Sequence, residues 1–386
     1  QPRHRLIPPV LVVGRSGADL VRVLLIGGGH THVVAMRHLA RNPQAGLDLH
    51  LVSPDPTTSY SGLLPGHVAG HWPRNGLEIP LEPLCKAAGA TLTIAQVTHL
   101  DPGKREALFS DGRQFVFDHA SLDIGAIAAI DAPESLKARG VPVKPLGIFA
   151  DRWMEFVADV QSQTRPPHVA IVGAGTAGIE LALSMKYHLD NIAAVQSVCV
   201  SLVERSDCIL PGASDSLRRQ LARALAKAGI VIKTSDSVTD ATDEDLILSS
   251  GETVLSGFTA LASGARPYPW LAETGLETRE GFIVVDETLR SVSHPAIFAC
   301  GDTAHLGFAP KPKAGVYAVR QGPVLAEQII RLVKGQALTT YRPQSDYLKL
   351  ISLGRRRAVA EKWGLTLNLP GLWSLKRHID LKFMEN

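Results

Sequence analysis

Apolar residues in this chain fall into short, mostly β-branched runs that alternate with stretches of helical period, and the alternation starts twice. The first run, Val21-Arg22-Val23-Leu24-Leu25-Ile26, breaks at three glycines and gives way to a helical stretch over 32–41 and a second apolar run at 47–52. A loop rich in Ser, Thr, Pro and Gly covers 53–70. Residues 91–100 and 106–117 read as antiparallel strands with a turn at Ser110-Asp111-Gly112, and 120–125 returns to the core. A helix over 146–163 leads to Pro166-Pro167, a domain junction. There the order begins again, with strand 169–172, helix 177–189, strand 197–203, helix 214–228 and strand 230–233. A hairpin follows around 249–251, and 281–289 with 296–300 brings the chain back. The end holds a strand pair, 347–353 and 357–363, and a short helix over 372–384. Strands alternating with helices predict a parallel α/β architecture.

The two starts carry the chemistry. Each is a strand, a glycine turn and a helix, the unit that holds one dinucleotide. Two of them predict two Rossmann-like βαβ domains, the arrangement that hydride transfer between a nicotinamide and a flavin needs. The expected layout is a discontinuous domain over 21–145 and 285–340, a second domain over 146–284 inserted in it, and a C-terminal region over 341–386; the family resemblance given below implies FAD binding for the first and NAD(P)H binding for the second. A chain of 386 residues is long enough for two or three cores.

The second turn, Gly173-Ala174-Gly175-Thr176-Ala177-Gly178, has a physical reason at every glycine. Gly173 permits the turn, Gly175 lets a pyrophosphate approach the backbone, and Gly178 allows close helix–strand contact. The helix that opens there offers free N–H groups to the phosphates. Glu204 ends the next strand, where a carboxylate accepts both ribose hydroxyls and repels the extra phosphate of NADPH, so NADH is favoured. In the first turn Gly27, Gly28 and Gly29 supply the bend and the close approach, but His32 stands in the third glycine position, with His30 two before it. Ser53 occupies the ribose slot, and Asp55 reaches it only if the chain bends at Pro54. Packing of the turn or contact with a phosphate is favoured for the two histidines over a metal, because no further Cys, His or acid is fixed nearby.

Composition narrows the partners. A formal charge of +3 and 5% aromatic residues give no footprint for nucleic acid. No apolar run approaches the ~18 residues of a membrane span. The cysteines, Cys85, Cys199, Cys208 and Cys300, form no C-x-x-C pair, which fits a reducing, cytoplasmic compartment. The basic first 20 residues leave organelle targeting open, although an untidy terminus of a longer chain is the simpler reading.

Several further motifs, in order, resemble the two-dinucleotide flavoprotein superfamily, which includes the pyridine nucleotide-disulfide oxidoreductases, and within it the type II NADH dehydrogenase and sulfide:quinone oxidoreductase branch. Ser61-Gly62-Leu63-Leu64-Pro65-Gly66 resembles the loop under the flavin ring. Asp123-Ile124-Gly125 and Ala262-Ser263-Gly264-Ala265-Arg266 resemble the two crossover segments. Ile297-Phe298-Ala299-Cys300-Gly301-Asp302 resembles the last FAD motif, which implies that Asp302 holds the ribityl chain. Glu180 matches the acid facing the nicotinamide. A helix starting near Lys313-Ala314-Gly315 is expected to aim its N-terminus at the flavin, with Lys313 either adding charge there or simply solvated. A closer likeness, carried by Val143-Lys144-Pro145-Leu146 and the stretch 313–323, is to the oxidoreductase domain found fused ahead of selenophosphate synthetase.

The resemblance implies an FAD-dependent NAD(P)H oxidoreductase that passes electrons to a small-molecule acceptor, with a selenium or sulfur compound as one expectation. The A-Q-x-A-x-Q quinone signature of type II NADH dehydrogenases is replaced here by Gly315-Val316-Tyr317-Ala318-Val319-Arg320, and no redox cysteine pair is evident. The terminal helix, apolar at Leu372, Leu375, Ile379 and Phe383 and basic at Lys376, Arg377 and Lys382, suits a peripheral membrane contact or a homodimer. A quinone-reducing dehydrogenase at the membrane surface and a non-catalytic nucleotide sensor remain the competing expectations.

Overall fold

The computed structural model describes residues 20–129, 131–192 and 197–385. The amino-terminal stretch read above for targeting lies outside them. The chain forms two compact units.

The first unit comprises residues 20–58, Ile79–Ala126 and Pro267–Pro343. Its sheet runs Ile297–Ala299, His119–Leu122, Val21–Ile26, Leu47–Ser53, Thr91–Ile94, with every pairing parallel. Leu24, Leu25 and Leu51 are fully buried, which is why the central strands read as unbroken apolar runs. The helices His30–Arg41 and Gly315–Val333 share this core through Ala35, Met36, Leu39, Leu325 and Ile329. Gly322 allows their close approach, since a Cβ there would overlap Val34. The expected strand over 91–100 is two strands. Ala95 N–H closes the parallel ladder on Ser53 O (2.9 Å), and Val97–Asp101 then opens an antiparallel meander with Glu106–Phe109 and Gln114–Val116.

The second unit comprises Ser59–Glu78, Ile127–Arg266 and Gln344 onward. Its parallel sheet runs Val141–Pro142, Phe258–Leu261, His168–Val172, Cys199–Val203, Val231–Lys233. Against it lie the helix Leu146–Gln161, with its buried Phe149, Trp153 and Phe156, and the helix Thr176–Asp190. The helix Asp215–Lys227 is capped by Ser214, whose Oγ accepts Leu217 N–H (3.2 Å) and donates to Glu361 Oε1 (2.5 Å). Residues 59–78, 127–145 and the C-terminal region from Gln344 belong to this unit, whereas 267–284 and 341–343 belong to the first. The reason lies in the core. Leu63, Leu64 and Val143 pack with Trp153, and Ile351 and Val359 of the C-terminal strands join the same cluster as Ile179.

Candidate dinucleotide-binding sites

The second turn is built as its spacing requires. Gly173 has φ +109°, and a Cβ there would lie 2.8 Å from Ala262 O. A Cβ on Gly178 would overlap Gly173 O, so this glycine is fixed by contact between helix and strand. A Cβ on Gly175 would meet nothing within 4 Å, so its bare face opens outward, at the start of a helix with no side-chain cap. Glu204, 9% exposed, ties itself to the turn. Its Oε2 accepts Ala174 N–H at 2.7 Å and its Oε1 accepts Ser206 N–H at 2.9 Å. Burial pushes its pKa up, but the N–H groups of Ser206 and Ala174, with Arg205, outweigh burial and hold it below the ordinary value.

The first turn is closed differently. Gly27 has φ +92°, and a Cβ there would lie 2.6 Å from Asp123 O. His32, fully buried where the second turn has Gly178, places Nδ1 2.6 Å from Gly27 O and Nε2 2.8 Å from Ser121 Oγ. A carbonyl only accepts, so Nδ1 carries the proton and Nε2 accepts from the serine. Burial lowers the histidine's pKa, against the opposing pull of Asp123 and Gly27 O, and this keeps it neutral. Asp123, 3% exposed, lays its carboxylate over the start of the helix. Its Oδ2 accepts the N–H groups of Thr31 (2.7 Å) and His32 (3.2 Å). His30 opens that helix and is half-buried. Ser53 is buried at its strand end, and Asp55, two residues on, is exposed.

The last motif follows the Ile297–Ala299 strand as a short 3-10 turn over Gly301–Thr303. Gly301 N–H donates to Gln321 Oε1 (2.7 Å), and Thr303 Oγ1 accepts Ile124 N–H (3.0 Å) and donates to Gly125 O (3.2 Å). Asp302 lines a shallow cleft with Lys311, Lys313, Tyr317 and Gln321. The helix from Gly315 starts beside it, after Ala314, which gives it no side-chain cap. Lys313 is neither simply solvated nor a loose charge. Its Nζ donates to Ala304 O (2.5 Å) and sits 3.7 Å from the Phe282 ring centroid.

The remaining expected residues lie in the second unit. Pro65 is buried in the short helix Leu64–Val68. Gly264 O accepts Ala129 N–H at 2.9 Å. Glu180 Oε1 accepts Ser352 N–H at 2.7 Å. Its carboxyl is raised by burial, against Lys376 and the Ser352 bond, with Asp380 adding to the rise. Asp380 bridges Tyr60 Oη (3.1 Å) and Lys376 Nζ (2.9 Å), and Lys376 also donates to Gly62 O (2.9 Å). Thr303 stands outside every motif read in the sequence, and Asp123, Gln321 and Lys376 enter there only within longer stretches, without these contacts. Their partners are remote in the chain, and no local spacing marks them. The four cysteines are unpaired as disulfides. Burial, and next the Asp123 charge, push the Cys300 thiol far above its ordinary range, and burial pushes Cys85 to about 11. Among the described residues no group of three or more His, Cys, Asp or Glu is placed to hold a metal ion, and no helix is long and apolar enough to cross a membrane.

Known proteins share this layout. The pyridine nucleotide-disulphide oxidoreductase family profile matches residues 21–322. A type II NADH:quinone oxidoreductase of Staphylococcus haemolyticus is 23% identical, over 94% of this chain and 95% of that protein. The structure of NDH2 from Plasmodium falciparum in complex with NADH superposes with a TM-score of 0.80 at 13% identity, covering 94% of each chain. The sulfide:quinone oxidoreductase of Aquifex aeolicus does so with a TM-score of 0.79 at 16% identity, covering 95% of this chain and 91% of that one. With the profile spanning both glycine turns and the last motif, the chain belongs to the pyridine nucleotide-disulphide oxidoreductase family, a family of FAD-dependent NAD(P)H oxidoreductases with type II NADH dehydrogenase-like members.

Proposed function

We propose that this chain is an FAD-dependent NADH dehydrogenase, with FAD on the Gly27 turn, NADH on the Gly173 turn and a small-molecule electron acceptor. The observation that carries the reading is the repeated strand–turn–helix unit, whose second copy keeps an open face at Gly175 and a carboxylate, Glu204, tied to the turn itself. The residues fit both groups, with one departure at Asp123 taken up below. Bound flavin supplies two-electron chemistry, with hydride accepted from NADH and electrons passed onward. The chain does the holding. Asp302 takes the ribityl hydroxyls, and the side-chain-uncapped helix start at Gly315, with Lys313 beside it, stabilises negative charge at that end of the cleft. Glu204 takes the ribose hydroxyls of NADH and disfavours NADPH. Glu180 orients the nicotinamide amide.

A quinone as acceptor, reached at a membrane surface, is favoured by one feature of the second unit. The C-terminal region exposes Trp363 (75%), Leu365 (65%), Leu369 (56%), Leu375 and Ile379 beside the basic Lys362, Arg377 and Lys382. The same face suits a homodimer. A link to selenophosphate synthetase, with a selenium or sulfur compound as acceptor, rests on motif likeness alone. Anaerobic addition of NADH to FAD-loaded protein tests the main reading, and loss of the yellow flavin absorption is expected. Nucleotide binding without flavin reduction would instead make the chain a sensor. Turnover of a quinone analogue that rises with anionic vesicles would select the membrane acceptor.

A further inference from the structure

We propose that Asp123 is a built-in counterpart of the dinucleotide phosphate and weakens the grip of the first turn on FAD; this rests on the FAD reading above. The two turns are copies down to the crossover residue that closes them. A Cβ on Gly27 would lie 2.6 Å from Asp123 O, and one on Gly173 would lie 2.8 Å from Ala262 O, so Asp123 and Ala262 hold equivalent places. Beyond that point the copies part. A Cβ on Gly175 would have nothing within 4 Å, whereas one on Gly29 would overlap the Asp123 carboxylate. On the other side, a Cβ on Gly301 would lie 2.5 Å from Asp123 Oδ1. Both glycines that the FAD motifs contribute here make room for a side chain of the protein.

The carboxylate does at this helix what a phosphate would do. Its Oδ2 takes the N–H groups of Thr31 and His32, at 2.7 and 3.2 Å, which are first-turn donors at the positive end of the helix dipole. An arriving pyrophosphate meets donors already engaged and a like charge beside them. If the carboxylate stays, it repels the phosphate. If it turns away, two charge-assisted bonds are lost. Either way FAD affinity falls. The second turn has Ala262 in the equivalent place, and its own carboxylate, Glu204, takes Ala174 N–H and not the helix start.

The test compares FAD dissociation constants, by quenching of flavin fluorescence, for wild type, Asp123→Ala and Asp123→Asn, alongside thermal unfolding of each apo-protein. Asp123→Ala makes the first turn resemble the second, and FAD binding tightens roughly tenfold or more. Its apo form melts earlier, because Thr31 and His32 lose their acceptor. Asp123→Asn, which keeps one acceptor oxygen, tightens FAD with a smaller loss of melting temperature. FAD binding equal to or weaker than wild type in both variants overturns the proposal while leaving the FAD reading intact. Failure of all three proteins to bind FAD overturns both. Should neither variant fold, Gly29→Ala reads the same contact with Asp123 in place. It pushes the carboxylate off the helix, and an unchanged apo melting temperature would refute the assignment.

Discussion

Glu204 performs two tasks that a single substitution separates. Its carboxylate receives two backbone N–H groups, from Ala174 at 2.7 Å and Ser206 at 2.9 Å. Hydrogen bonds to a charged group contribute about 1.5–3 kcal/mol each, and a buried donor left alone costs about 1–3 kcal/mol. Ser206 N–H regains water in Glu204→Ala, whereas Ala174 N–H is buried, so the loss of folding stability should be about 2–4 kcal/mol. Loss of the ribose hydroxyl contacts adds a binding cost of similar origin, about 1.5–3 kcal/mol, which weakens NADH roughly 10- to 100-fold. FAD affinity should stay within about twofold, since Glu204 belongs to the other turn. Urea unfolding of apo-protein reads the first quantity, and parallel titrations with NADH and FAD read the second. The pH dependence has a definite sign. The folded pKa lies below the ordinary 4.5, so the stability Glu204 supplies is present above that value and is lost as pH falls through the lowered one. Glu204→Gln should flatten that acid limb. A variant that loses stability but keeps wild-type NADH affinity would show the carboxylate to be only a tie for the turn, and the nucleotide assignment would fail with it.

Other substitutions sort structure from binding. Gly175→Ala, at φ −70° with open space around the added carbon, should leave urea stability within about 1 kcal/mol and weaken NADH about tenfold or more. Gly178→Ala, which drives a methyl into Gly173 O, should cost more than about 2 kcal/mol in the same unfolding assay. His32→Ala removes a fully buried ring and its bonds to Gly27 O and Ser121 Oγ, so about 3–4 kcal/mol should be lost, read by thermal unfolding. Glu180 has the opposite pH sign to Glu204. Because its folded pKa is raised above 4.5, its contribution falls as pH rises from that value through the raised one, and Glu180→Gln should remove this part of the slope in a stability–pH series.

The legible parts of this fold are those whose causes are local. Parallel strands buried on both faces write themselves as apolar runs, so Val21–Ile26 and His168–Val172 appear directly in the sequence. The turns follow from glycine spacing, and Gly27 and Gly173 do adopt the positive φ that the spacing requires. The break at Ala95 was not legible, because Thr91–Ile94 and Val97–Asp101 share one apolar pattern and separate only when they find different partners. The helices Leu81–Ala88 and Glu134–Arg139 are too short, and too close to prolines, for their period to register. The same limit hid part of the sites. Thr31 and Asp123 meet across 92 positions, and Gly125 and Thr303 across 178. Nothing near either residue in the chain announces its partner.

This explains why glycine spacing reports a close approach without saying what approaches. In the second turn Gly178 is bare because Gly173 O stands where a side chain would go. In the first, the same carbonyl, Gly27 O, is met by the ring N–H of His32, and the third glycine is dispensable. Gly29 keeps its place in the spacing, yet the group that presses on it is Asp123 and not a ligand. The first turn therefore meets its helix-start needs internally, through one carboxylate and one neutral imidazole, while the second leaves Gly175 facing open space. A turn whose donors are already satisfied is stable when empty, and its ligand must compete with its own side chain. A turn with open donors gains more when its ligand arrives. The two copies of one motif thus differ in what binding has to displace, and that difference lies in Asp123 against Ala262, outside the glycine signature altogether.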